Sequence, residues 1–130
     1  MTDLKMTKSE FKRRMKNVYL GVAIDIVAAL ARRCPVDNGS LRQSIHYAID
    51  GERINIVMLK YGLYVEFGTQ PHEIRPVNAK ALKFKVGGND VFAKVVQHPG
   101  TRPQPFIRNM AHQDLPRIVN DNIRRHLLAI

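Results

Sequence analysis

The residues best suited to chemistry are five histidines (His46, His72, His98, His112 and His126), one cysteine (Cys34) and the hydroxyls of Ser40, Ser44, Thr69 and Thr101. A helical metal pair needs two histidines four residues apart, and no two of the five have that spacing. His72 lies near Glu66 and Glu73, but a loop-like stretch with Gly68, Thr69, Gln70 and Pro71 separates Glu66 from His72. None of the hydroxyls stands in the Gly-x-Ser-x-Gly frame of a strained hydrolase turn. Cys34 precedes Pro35 at a helix end and reads as a small buried apolar residue rather than a nucleophile. Gly87-Gly88 falls between two strand-like runs, so it reads as a hairpin turn and not as a phosphate cradle. The sequence therefore offers no catalytic, metal-binding or cofactor-binding set, and the expectation is a protein that is not an enzyme and carries no cofactor.

What stands out instead is two loop segments. One is Glu66-Phe67-Gly68-Thr69-Gln70-Pro71-His72, and the other is His98-Pro99-Gly100-Thr101-Arg102-Pro103-Gln104-Pro105-Phe106. Loops stiffened by proline lose little entropy on binding, which suits them to interfaces. They can equally serve only to turn corners, and composition does not decide between the two.

These segments must be held by the elements around them. Phe11, Met15, Val18, Val22, Ile26 and Leu30 recur at three- and four-residue steps and predict a helix over 7–33. Thr7 or Ser9 is its N-cap, and Glu10 follows Thr7 by three residues as in a capping box. Pro35 ends it. The Pro35–Arg42 stretch reads as a turn, with a helical turn over Ser40–Ile45. Strands are expected over 45–50 and 53–59, joined at Asp50-Gly51-Glu52, with Ile54, Ile56 and Met58 alternating with polar residues. A short aromatic segment, 61–69, leads to an irregular loop over 68–79. A second hairpin follows: Leu82, Phe84 and Val86, a turn at Gly87-Gly88-Asn89-Asp90, and a return over 91–96. Another loop covers 98–105, and helical spacing resumes from Phe106 to Leu127. Pro116 should break that last stretch, with Asp114 capping its second piece. The expected fold is α+β: an antiparallel sheet of two hairpins packed by a long N-terminal helix and a C-terminal helix.

The chain has 130 residues and one cysteine, which predicts a single domain, 1–130, with a flexible start over 1–6. At this length folding hides roughly two-thirds of the unfolded surface, so a core forms without staples. A lone thiol excludes an internal disulfide and the four-thiolate zinc sites. No apolar run is long enough to span a membrane and no signal peptide is evident, so the cytoplasm, where a free thiol stays reduced, is the expected compartment. Lys+Arg is 21 against 11 Asp+Glu, a net charge of +10. Such a field favours an anionic partner: nucleic acid, an acidic membrane surface or an acidic protein. Lys5, Lys8, Lys12, Arg13, Arg14 and Lys16 crowd the first half of the long helix.

Three blocks resemble one family. Pro35-Val36-Asp37-Asn38-Gly39-Ser40-Leu41-Arg42-Gln43-Ser44-Ile45 resembles the PVDTG-LR-SI stretch of phage tail-component proteins of the Hong Kong phage type. Tyr61 to Thr69 resembles that family's YA-YVEFGT segment, with Gly62 and Leu63 differing from its more usual small residues. His98 to Phe106 is similar to its HPGT-PQPF segment. The blocks follow the family's order, and the resemblance spans residues 10–125. Pro116 departs from it, because the family runs an unbroken helix there.

The resemblance implies a structural, non-enzymatic virion protein of long-tailed phages or prophages. It would work in head–tail joining, or tail completion, as a ring subunit at the neck or upper tail, assembled in the host cytoplasm. Its implied partners are further copies of itself, commonly six, the tail tube or terminator protein, and the head connector or stopper protein; no membrane is involved. A ring needs two different patches per subunit. The two loop blocks are the expected patches: Tyr61, Tyr64, Glu66, Phe67, Gly68, Thr69, Pro71 and His72 in one, and His98, Pro99, Gly100, Thr101, Arg102, Gln104, Pro105 and Phe106 in the other. Tyr61, Tyr64, Phe67 and Phe106 would be the aromatic anchors. DNA passing the neck would be retarded by a cationic lumen, so contact with it should be non-specific and the excess charge should face outward or toward an acidic partner. The expected docking patch is Lys8, Lys12, Arg13, Arg14 and Lys16.

Two other readings stand beside this one. One is a tail terminator, capping the finished tube, which composition does not separate from a completion protein. A small basic nucleic-acid-binding or ribonuclease toxin fits the size and charge, but the sequence shows no His/Glu/Arg cluster for phosphodiester cleavage.

Overall fold

The computed structural model describes residues 5–35, 39–70, 72–74, 82–86, 89–93, 96–98 and 100–128, the strands within 72–98 through their backbone pairing. Helix α1 (Lys8–Arg33) starts where its cap dictates: Thr7 Oγ1 accepts the Glu10 N–H at 3.1 Å. Val18, Val22, Ile26 and Leu30 of the expected stripe are buried. Phe11 is not, because the stripe outruns the core at that end. Cys34 turns extended before Pro35 and closes the helix with its N–H on the Leu30 carbonyl, 2.8 Å away. A short helix α2 (Gly39–Ser44) buries Leu41, and Ser44 ties it forward by accepting the Leu59 N–H at 3.0 Å.

The hairpin of β1 (His46–Asp50) and β2 (Arg53–Val57) pairs in register from His46–Val57 to Asp50–Arg53, with Gly51 at φ +59° in its turn. Ile54 and Ile56 are half-buried against the core that α1 builds. The aromatic segment forms helix α3 (Tyr61–Phe67). Strand β3 (His72–Ile74) pairs antiparallel with β6 (Val96–His98), and β4 (Leu82–Val86) pairs with β5 (Asn89–Ala93). The C-terminus is α4 (Phe106–Gln113), α5 (Leu115–Asn122) and a π-helical turn, Ile123–Leu127.

The fold is α+β, and it departs from the expected sheet. Among the described residues the strands form three separate two-stranded antiparallel ribbons, not one sheet of two hairpins. The reason is that a helix, α3, follows β2, and the described strands between Thr69 and Thr101 pair among themselves. Thr69–Thr101, His72–His98 and Ile74–Val96 share one antiparallel register, so the reading of 72–74 and of His98 as loop is corrected. Asn89 and Asp90 lie in β5, which narrows the expected turn. The turn itself (87–88), the first hairpin's preceding loop (36–38) and residues 1–4 lie outside the described residues.

The core is mostly helix on helix. α1 runs antiparallel to α4, α5 and the π turn, bringing Arg33 to Asp114, Asp25 to Asn122 and Arg14 to Leu127. Phe106, Met110 and Ile118 fill the space against Val22, Ile26, Leu30, Leu41 and Val65. Asp114 does not cap α5. It sits in helical geometry between α4 and α5, and its carboxylate takes Arg33 instead, at 2.6 Å from Nε and 3.1 Å from an Nη. That charged fork outweighs a cap bond. Pro116 costs little, because it falls in the first turn of α5, where a missing N–H is tolerated.

Candidate interaction surface

The second and third sequence blocks meet. Gln104 donates its backbone N–H to the Val65 carbonyl at 2.8 Å, which pins the proline loop onto α3. Thr69 and Thr101 exchange both backbone bonds at 3.1 Å, and Thr69 Oγ1 accepts a further bond from the Thr101 N–H at 3.0 Å. Gly68 makes this approach possible. Its φ of +74° suits glycine, and a Cβ there would stand 2.6 Å from the Thr101 carbonyl oxygen.

Glu66 closes the clasp. It is 2% exposed, and its carboxylate accepts the N–H of Ile107 at 2.8 Å, the N–H of Arg108 at 3.1 Å and Arg108 Nε at 3.1 Å. Pro105, at the N-cap of α4, has no side chain to satisfy the free N–H groups there. A carboxylate from α3 does it instead, with the charge that a helix N-terminus favours. Two expected interface residues are thereby corrected. Glu66 is an internal cap, and Phe106, 3% exposed, is a core residue rather than an anchor. A third correction concerns the whole arrangement. The two blocks make one face, not two separate patches, because these bonds hold them against each other.

That face is apolar and open. Tyr61, Leu63, Tyr64 and Phe67 project from a helix of seven residues, with Phe67 64% exposed, and Leu59 stands exposed just before it. Arg108 lies over the Phe67 ring, 5.8 Å from its centroid. Lys60, next to Tyr61 in the chain, and Arg102 and Gln104, on the proline loop pinned to α3, are exposed like Arg108. Thr101 is exposed at the rim, and Gly100 enters the bridge with φ +82°. His72 and His98 are paired through their backbones in the β3–β6 ladder, while Pro71 and Pro99 lie outside the described residues. Sequence reasoning missed α3 itself, along with Leu59 and Leu63. The three-residue steps from Tyr61 to Tyr64 to Phe67 carried the signal.

The cationic cluster on α1 is reduced by one. Lys8, Lys12, Arg13 and Lys16 are exposed, and the four-residue steps put Lys8, Lys12 and Lys16 in one line. Arg14 is half-buried and donates to the Leu127 carbonyl at 2.8 Å, so it fastens the C-terminal turn. Cys34 is buried, and that burial pushes its thiol above the ordinary range against a smaller opposing pull from the Arg42 charge. Among the described residues no three His, Cys, Asp or Glu side chains gather as metal ligands would. No described helix is long and apolar enough to cross a membrane. Neither the family models, nor the curated proteins, nor the solved structures contain a match to this chain.

Proposed function

We propose that this chain is a structural subunit of a phage virion, acting without catalysis at the neck or upper tail. There it would join the tail tube to the head connector as one member of a ring. The observation that carries this is the clasp. Two of the three blocks that resemble the tail-component family lock together through Glu66, Gly68 and Thr69, and they hold out four exposed apolar side chains with no cover from the described chain. Monomers seldom leave such a patch without a binding role. A buried carboxylate spent on fixing the helix beneath it is the investment of a docking surface, since preorganised groups lose least on association. The exposed line Lys8, Lys12 and Lys16, with Arg13 beside it, supplies a second contact for an acidic neighbour in the tail.

The test is the solution mass of the purified protein by light scattering, alone and with assembled tail tubes. A ring-sized species, or a monomer that adds to tubes in ring stoichiometry, is the expected result. A monomer that ignores tubes and holds DNA at physiological salt would overturn the proposal in favour of a nucleic-acid-binding protein. Replacing Lys8, Lys12, Arg13 and Lys16 by Glu should abolish joining while leaving the fold intact, because all four side chains point to solvent.

A further inference from the structure

Resting on the ring reading, we propose how one copy meets the next: the acidic tip of the β1–β2 hairpin docks on the cation-rimmed aromatic face of α3 in the neighbouring copy. Charge placement makes the argument. Arg108 lies over the Phe67 ring, Lys60 directly precedes Tyr61, and Arg102 stands on the loop that bonds at Thr101 and Gln104 pin to the end of α3; all three are exposed, whereas Glu66, the carboxylate of α3, is buried and bonded. The carboxylates of Asp50 and Glu52, on either side of Gly51 at the hairpin tip, are both exposed. Arg53 stands across the ladder from Asp50, so the tip remains net negative. Tyr47 and Ile49, just behind the tip, are partly exposed and supply apolar surface.

The topology makes this contact intermolecular. β2 feeds α3 through Met58, Leu59 and Lys60, so α3 lies at the open end of the hairpin. The tip is a full strand away, about 16 Å for five residues. A paired ribbon cannot fold back to bring its own tip to its own α3. Two α3 faces cannot meet each other either, because Lys60, Arg102 and Arg108 would oppose their own copies. Complementary patches at two ends of one rigid element give a head-to-tail contact, which closes into a ring when the rotation permits. The aromatics form its dry centre and the charges its rim.

Charge reversal tests this. One variant carries Asp50→Lys and Glu52→Lys, and a second carries Lys60→Glu and Arg102→Glu. Self-association is measured by sedimentation velocity at low salt, alone and on tail tubes, with circular dichroism to show that each variant is folded. Each variant alone should self-associate about tenfold more weakly. An equimolar mixture should recover, because the reversed tip of one matches the reversed rim of the other and the unreversed pair still matches. Tyr64→Ala should weaken association about thirtyfold, as a central aromatic anchor does. If folded variants assemble like the parent chain, or the mixture fails to recover, the hairpin-to-α3 contact is refuted while the ring reading stands. If the parent chain never self-associates, alone or on tubes, both fall.

Discussion

Replacing Glu66 probes the joint on which the exposed face depends. Its carboxylate accepts two backbone N–H groups in the first turn of α4 and the Nε of Arg108. A hydrogen bond to a charged group is worth about 1.5–3 kcal/mol net, and losing a helix cap costs about 0.5–2 kcal/mol. The bonds share one acceptor and do not add fully, so Glu66→Ala should cost about 3–4 kcal/mol. Glu66→Gln keeps the shape, but its amide turns a donor toward one of the two N–H groups, and about 2 kcal/mol is expected. For 130 residues the unfolding entropy gives about 4 °C per kcal/mol. Glu66→Ala should therefore lower Tm by about 12–16 °C, and Glu66→Gln by about 8 °C. Thermal melts and urea titrations at neutral pH read this directly. Hydrogen exchange at Ile107 and Arg108 should quicken first. Arg108→Met, on a side chain more than half exposed, should cost about 1 kcal/mol or less, and nothing further once Glu66 is gone. A Tm loss under about 4 °C for Glu66→Ala would refute the reasoning, since the free N–H groups of α4 would then have found water or another acceptor.

Asp114 is held below the ordinary carboxylate range, first by its hydrogen bonds from Arg33 and further by that residue's charge. A lowered folded pKa gives stability that is present above the unfolded value near 3.9 and is lost as pH falls through the folded value. Asp114→Asn should thus destabilise the protein at neutral pH and match the parent chain in strong acid, as pH-dependent urea melts will show. Gly21 lies against Asn122 Oδ1, and Asn122 is fixed by bonds to Asp25 and the Ile118 carbonyl at 2.8 Å each. Gly21→Ala, which normally gains about 1 kcal/mol in a helix, should here lose about 1–3 kcal/mol in a urea titration. Cys34, buried and with its thiol raised, should react with a thiol reagent at pH 8 at least about 100-fold more slowly than in denaturant.

Much of the framework was legible because its signals are local. α1 follows from one apolar stripe, a Thr7 cap and a proline stop. The first hairpin follows from alternation and Asp50-Gly51. α3 left only the three-residue steps of Tyr61, Tyr64 and Phe67, a signal that propensity opposes: Tyr, Val and Phe favour strands, Gly62 weakens a helix, and seven residues cannot hold helical structure alone. Contacts distant in sequence supply its stability, with Val65 in the core and Glu66 on α4. The β3–β6 pairing has the same character, because three-residue strands far apart in the chain leave no periodic trace. At the site, exposed Tyr61, Tyr64 and Phe67 could be named from their types. The burial of Glu66 and Phe106 depended on where α4 begins, and Pro105 hides that start by offering no cap residue.

Among the described side chains, exposed cations outnumber exposed carboxylates by a larger ratio than the composition alone gives, and the fold explains why. Glu66 caps α4, Asp114 clamps the end of α1 to the α4–α5 joint, and Asp25 holds the buried Asn122. These carboxylates work between helices, while Lys8, Lys12, Lys16, Lys60 and Arg102 face water. Salt should therefore act on the two sets differently. Exposed charges are screened within about 10 Å at 0.1 M and about 3 Å at 1 M, whereas partly buried pairs are screened much less. Raising salt from 50 to 500 mM should weaken self-association about tenfold or more and leave Tm within about 3 °C. Equal losses in both would mean that the inward carboxylates are as exposed as the surface cations, and that the helix joints open freely to solvent.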